Sequence, residues 1–140
     1  MDEISEWKIF IEELISEIRM SPKGSDRERL AFIFVEEEMW DRLVALIRER
    51  RSIYTIREFE PQLLKHCPIE LADLYGEGIL QFMRFSVGRN YYQGACNYIK
   101  RLDKLGFPQK AMEIIGILRE TYPFRTALIE ELNKIRIALY

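Results

Sequence analysis

Apolar side chains recur every three or four residues along almost the whole 140-residue chain, and the stripes are cut at short intervals by proline or glycine. A period near 3.6 marks helices with one buried face, and Pro and Gly mark where such helices start and stop. A first helix is predicted over residues 2–19, with Ile4, Trp7, Ile11, Leu14, Ile15 and Ile18 on one face and Glu6, Glu12, Glu13 and Glu17 largely on the other. It ends at "MSPKGS", and Ser25 and Glu28 have the Ser-x-x-Glu spacing of a capping box for the second helix. "LAFIFV", residues 30–35, has the composition of a strand, but no second strand-like segment could pair with it, so it reads as a helix buried on most sides.

A third helix runs from about Met39 to Arg50, with Trp40, Leu43, Val44 and Ile47 on one face. Residues 52–67 are the least regular stretch, where Thr55 and Glu58 suggest another capping box and Pro61 belongs in a first turn. Pro68 opens a long helix with Leu71, Leu74, Tyr75, Gly78, Ile79, Phe82 and Met83 on one stripe, Gly78 suggesting close packing. A sixth helix uses Ala95, Tyr98, Ile99 and Leu102 and stops near Gly106; a seventh uses Ala111, Ile114, Ile115 and Leu118. The eighth enters at Pro123 and is expected to bury Phe124, Ala127, Leu128, Leu132 and Ile135. The expected fold is therefore all-α: antiparallel hairpins of about eight helices stacked in chain order, in one domain spanning 1–140.

In "LGFPQKAMEIIGILRETYP" the glycine at a tight turn, the small Ala111, the larger Ile115 and the closing Pro123 resemble the second helix of a tetratricopeptide repeat. Trp40, Leu43 and Ile47 repeat this outline 68 residues before Pro108, Ala111 and Ile115, which is two 34-residue periods, although the unit between does not fit. The resemblance implies a degenerate, right-handed repeat array, and a non-repetitive bundle is the alternative. From about residue 67 to 132 the chain also resembles the helical tail that follows the zinc finger of bacterial SWIM zinc-finger proteins, through "LY", "GR..Y", "YIKRL.KLG" and "LRE.YP.R.AL..EL". That family's Cys-x-Cys and Cys-x-His ligands are absent, so this resemblance implies the fold and an accessory role in a larger protein, not metal binding.

The chain has 21 cationic and 23 anionic side chains and a formal net charge of -2, which excludes a uniformly basic surface for nucleic acid or membrane. No apolar run approaches the ~20 residues of a membrane span. Two irregularly spaced cysteines and an acidic start, "MDEISEWKIF", point to a reduced, cytoplasmic setting.

His66 beside Cys67 has the elements of an activated thiolate, but adjacent residues at a helix end diverge, and a capping histidine before a half-buried cysteine explains the pair. One His and two Cys do not make a zinc site, and neither a phosphate-binding glycine loop nor a Ser/His/Asp set is present. The carboxylates Glu12/Glu13, Glu36/Glu37/Glu38 and Glu130/Glu131 read as solvated helix faces. No enzyme, metal or cofactor is expected.

The clearest local signal is basic and aromatic: Arg84, Arg89, Lys100, Arg101 and Lys104 interleaved with Tyr91, Tyr92 and Tyr98. "RERRSIYTIR", residues 48–57, is a second basic stretch, whose cations a helix C-terminus would favour. Helical arrays expose grooved faces that hold partner peptides or helices, so the expected function is a protein-interaction or scaffold domain. Its contact residues are expected to be Arg84, Arg89, Tyr91, Tyr92 and Lys100. Single-stranded nucleic acid, bound by the same basic and aromatic side chains, is the alternative.

Overall fold

The computed structural model describes residues 2–20, 26–50 and 52–137. Among these the chain is all-helical, with nine helices and no strand. They are α1 (Glu3–Met20), α2 (Asp26–Glu36), α3 (Trp40–Arg50), α4 (Ile53–Glu58), α5 (Glu60–His66), α6 (Pro68–Arg84), α7 (Arg89–Lys104), α8 (Pro108–Thr121) and α9 (Thr126–Asn133). No helix among the described residues is long and apolar enough to cross a membrane. The chain groups into two compact units, Met1–Leu46 and Ile47–Tyr140, with the division inside α3.

In unit 1, α1 packs against α2 and buries Ile11, Ile15 and Ile18 of its predicted stripe, while Ile4 and Trp7, at the end of that stripe, are exposed. "LAFIFV" is helical but less covered than expected: Leu30, Ala31 and Phe34 are buried, while Phe32 is 66% exposed. The α2–α3 turn is closed by two backbone bonds, from Met39 N–H to the Phe34 carbonyl (2.7 Å) and from Glu38 N–H to that of Val35 (3.2 Å). That is a Schellman pattern, with Glu38 in the left-handed position at φ 55°. Arg27 donates to the Leu46 carbonyl at 2.7 Å and Arg42 pairs with Glu12 at 2.8 Å, so α3 is tied to both α1 and α2. The expected Ser25 cap lies outside the described residues.

Unit 2 is built around α6, which packs against α4, α5, α7 and α8. Residues 52–67 form two short helices. The expected Thr55/Glu58 capping box does not form: Ser52 is the N-cap residue of α4, and Thr55 sits inside the helix with its carbonyl accepting from Phe59 N–H. Pro61 does fall in the first turn of α5, where its missing N–H costs nothing. A close approach on α6 occurs at Gly76: a Cβ there would come within 3.0 Å of Lys110 Cε and 3.1 Å of Ile114 Cδ1 on α8. Gly78 is buried as well.

The α7–α8 turn is a second Schellman pattern, with Phe107 N–H bonded to the Leu102 carbonyl and Gly106 N–H to that of Asp103. Gly106 there has φ 100°, a conformation that glycine adopts without a Cβ clash. Pro123 lies in a turn before α9, not in the helix, and Arg125 N–H closes that turn onto the Tyr122 carbonyl at 3.2 Å. Phe124, expected in the core, sits at the turn's crest and is 95% exposed. Leu128, Leu132 and Ile135 are buried as expected.

Candidate interaction surface

Two ion-pair networks determine which of the basic and aromatic residues remain on the surface of unit 2. Buried Glu60, at the start of α5, accepts from the fully buried Tyr75 hydroxyl at 2.6 Å. It also accepts from both the Nε (3.1 Å) and the Nη2 of Arg101. A forked guanidinium on a carboxylate is the strongest common geometry for such a pair. Arg101 holds the Glu60 carboxyl below the ordinary range, against a burial that pushes the other way. Burial, then the bond to Glu60, drives the Tyr75 phenol well above its usual range. Tyr98 is half-buried and packs at 6.2 Å from Tyr75.

The second network joins α7 to α9. Arg89 donates to Glu130 at 2.7 Å and to Glu131 at 2.9 Å, and Lys134 reaches Glu131 at 3.0 Å. Glu131 is buried, which corrects its reading as part of a solvated acidic face. Its carboxyl is held low, first by Lys134 and then by Arg89.

These networks divide the expected contact residues. Tyr92, expected at the contact surface, is 4% exposed and belongs to the core face of α7 with Ala95, Cys96, Ile99 and Leu102, so it offers a partner almost no surface. Arg89 is exposed, but its guanidinium is held by α9. Lys100 is exposed but lies nine residues from Tyr91, half a revolution around α7 and about 14 Å along it. Arg84 and Tyr91 remain at the α6–α7 connection, both exposed, and Arg84 has no ion-pair partner among the described residues.

Their neighbours are apolar. Tyr91 meets the half-buried Phe82 edge-on, ring centroids 6.0 Å apart. Phe85 and Val87, in the connection itself, are 78% and 69% exposed. The sequence reading missed these two because they lie outside every helical stripe; the signal available was a pair of large apolar residues in a "RFSVGR" loop, where polar residues are usual.

Both cysteines are buried and neither is in a disulfide. Burial, with Glu131 nearby, pushes the Cys96 thiol up to about 11, so it stays protonated near neutral pH. Cys67 caps α5 and opens α6 through backbone bonds from its own N–H to Leu63 and from Leu71 N–H to its carbonyl, while the neighbouring His66 side chain is exposed. Among the described residues no group of three or more His, Cys, Asp or Glu side chains converges as metal ligands would. Comparison with family models, curated proteins and solved structures finds no match to this chain.

Proposed function

We propose that the chain is a non-enzymatic protein-interaction module and that the α6–α7 tip, formed by Phe82, Arg84, Phe85, Val87 and Tyr91, is a contact surface for a protein or peptide. The observation that carries this reading is the exposure of Phe85 and Val87 beside an exposed Tyr91 at one helix connection. Contiguous apolar surface with a polar rim is typical of an interface. The repeat-like reading is supported by the packing order: α6 packs on α7 and α8, α7 on α8 and α9, and α4 on α5 and α6, so contacts join near neighbours in the chain.

A photo-crosslinking residue at position 85 should trap a discrete protein in cells, and alanine at Val87 and Tyr91 should abolish the adduct while leaving the helical circular dichroism unchanged. Undiminished crosslinking in that variant would remove the tip as the contact surface. The cation excess of residues 47–140, 15 Lys and Arg against 11 Asp and Glu, favours the nucleic-acid alternative. Against it, Arg89 and Arg101 are held by carboxylates, and Lys100 and Tyr91 lie on opposite faces of α7. A labelled single-stranded oligonucleotide should accordingly show no salt-sensitive binding; tight binding at low salt that fell steeply with added salt would reverse the choice.

A further inference from the structure

Unit 1 holds a second surface, distinct from the α6–α7 tip. Helices α1 and α2 pack antiparallel, since Trp7 near the start of α1 donates its indole N–H to Glu37 just after α2, at 3.0 Å. Between them runs a groove of about 450 Å³ lined by Leu14, Ile18, Phe32 and Ile33 with Glu28 and Arg29. On α1, Trp7, Phe10, Leu14 and Ile18 follow one another at three- and four-residue steps, which places them along a single ridge leading into this groove. Phe10 is 52% exposed, and its ring packs tilted against that of Trp7, centroids 5.5 Å apart. Eleven residues of helix span about 16 Å, enough to seat three turns of a partner helix.

The rim is predominantly acidic. Glu6, Glu13 and Glu17 border Phe10 on the outer side of α1, and none has an ion-pair partner among the described residues. Glu28 and Glu36 stand exposed on α2, and Arg29, the cation in the groove, is paired with Asp26 at 3.5 Å. Residues 1–46 carry 12 Asp and Glu against 6 Lys and Arg. An apolar trough between acidic rims is complementary to a helix with an apolar stripe between basic flanks. The same rims repel anionic lipid and nucleic acid, and would repel each other if two copies met face to face.

We propose that the α1–α2 groove docks a basic amphipathic helix from another protein, with large apolar residues at i, i+3 and i+7 set against Phe10, Leu14 and Phe32. This rests on the interaction-module reading but uses a different site, so the two can fail separately. The test is fluorescence anisotropy of the full chain with a labelled 14-residue leucine/lysine amphipathic helix and with a twin carrying glutamate in place of lysine. The lysine peptide should bind at least tenfold more tightly than its twin. Phe10→Ala with Phe32→Ala, two exposed positions that should leave the fold intact, should weaken binding at least tenfold. Glu13→Lys with Glu17→Lys should weaken it chiefly at low salt, and keeps the test decisive if the first variant fails to fold.

Phe85→Ala with Val87→Ala should leave the affinity unchanged, whatever it does at the tip. Equal binding of the two peptides would overturn the proposal, as would full affinity in the Phe10/Phe32 variant. A dimer of the free protein that Phe10→Ala dissociates would also overturn it, because a second copy would then be the occupant.

Discussion

In unit 2 the central helix α6 is covered by α4, α5, α7 and α8 and buries residues around most of its circumference, including Leu71, Ala72, Leu74, Tyr75 and Gly76. In unit 1, α1 also carries an apolar stripe, yet it buries Ile11, Ile15 and Ile18 and leaves Ile4 and Trp7 of that stripe exposed, together with Ile9 and Phe10. Amphipathic pattern alone therefore does not say how much of a stripe is hidden; the number of neighbouring helices does. Charge follows the same division. Glu60, Glu77, Glu130 and Glu131 of unit 2 each meet an arginine, whereas unit 1 has twice as many carboxylates as cations and, among the described residues, leaves most of its acidic row without a counter-charge. One unit is wired internally, and the other presents an apolar, acidic face.

The largest effect is expected where that wiring is buried. Glu60→Ala strands the Tyr75 hydroxyl and one side of Arg101, and should cost about 2–3 kcal/mol in urea unfolding, because a buried donor loses a charged acceptor while the partly exposed guanidinium can turn to water. Trp7→Ala in unit 1 deletes a larger side chain but should cost less than about 1 kcal/mol, since the indole is half exposed. If the two losses proved equal, the contrast between the units would fail.

Acid provides the same comparison without mutation. The Glu60 carboxyl lies below its ordinary value of 4.5 in the folded chain, so its contribution is fully present above that pH and is lost as pH falls through the lower, folded value. The urea midpoint of the native chain should fall between pH 5 and pH 3, and Glu60→Gln should make that fall shallower. An unchanged slope in the variant would mean that Glu60 is not a source of the acid sensitivity.

Next in size is Gly76→Val, which forces two methyl groups against Lys110 and Ile114 and should destabilise by about 2 kcal/mol through overpacking. Gly116→Ala, in α8 with nothing within 4 Å of the added carbon, should instead stabilise by about 1 kcal/mol from helix propensity alone. The smallest effect belongs to unit 1: Glu38→Gly relieves the left-handed strain at φ 55° and should gain about 0.5 kcal/mol, the rest being offset by the freer unfolded chain. Thermal melts of the three variants order these effects, and a Gly76→Val chain as stable as the native one would show that α8 does not lie close on α6.

The sequence disclosed the helices because their signals are local. The stripes of α1, α3 and α8, Pro61 and Pro68 in first turns, and Gly106 after α7 all depend on residues within a few positions of one another. Tyr92 was legible too: it lies three residues before Ala95 and seven before Ile99, on the same stripe, so extending the periodicity by one step puts it in the core. What joins distant segments was not legible. Glu60 with Arg101 and Arg89 with Glu130 are separated by 41 residues, and nothing in either local sequence distinguishes a paired arginine from a free one. Gly76 left a faint trace, since Ala72 four residues earlier makes a small-residue pair on one face, but which helix approaches that face is a tertiary fact.

Residue-resolved native-state hydrogen exchange on the full chain without any partner separates a wired unit from an open-faced one. The amides of α6, α7 and α8 should exchange only through global unfolding, while those of α1 and α2 exchange through a smaller opening of lower free energy. Equal protection of α1–α2 and α6–α8 would contradict the division on which both the groove and the contrast between the two units depend.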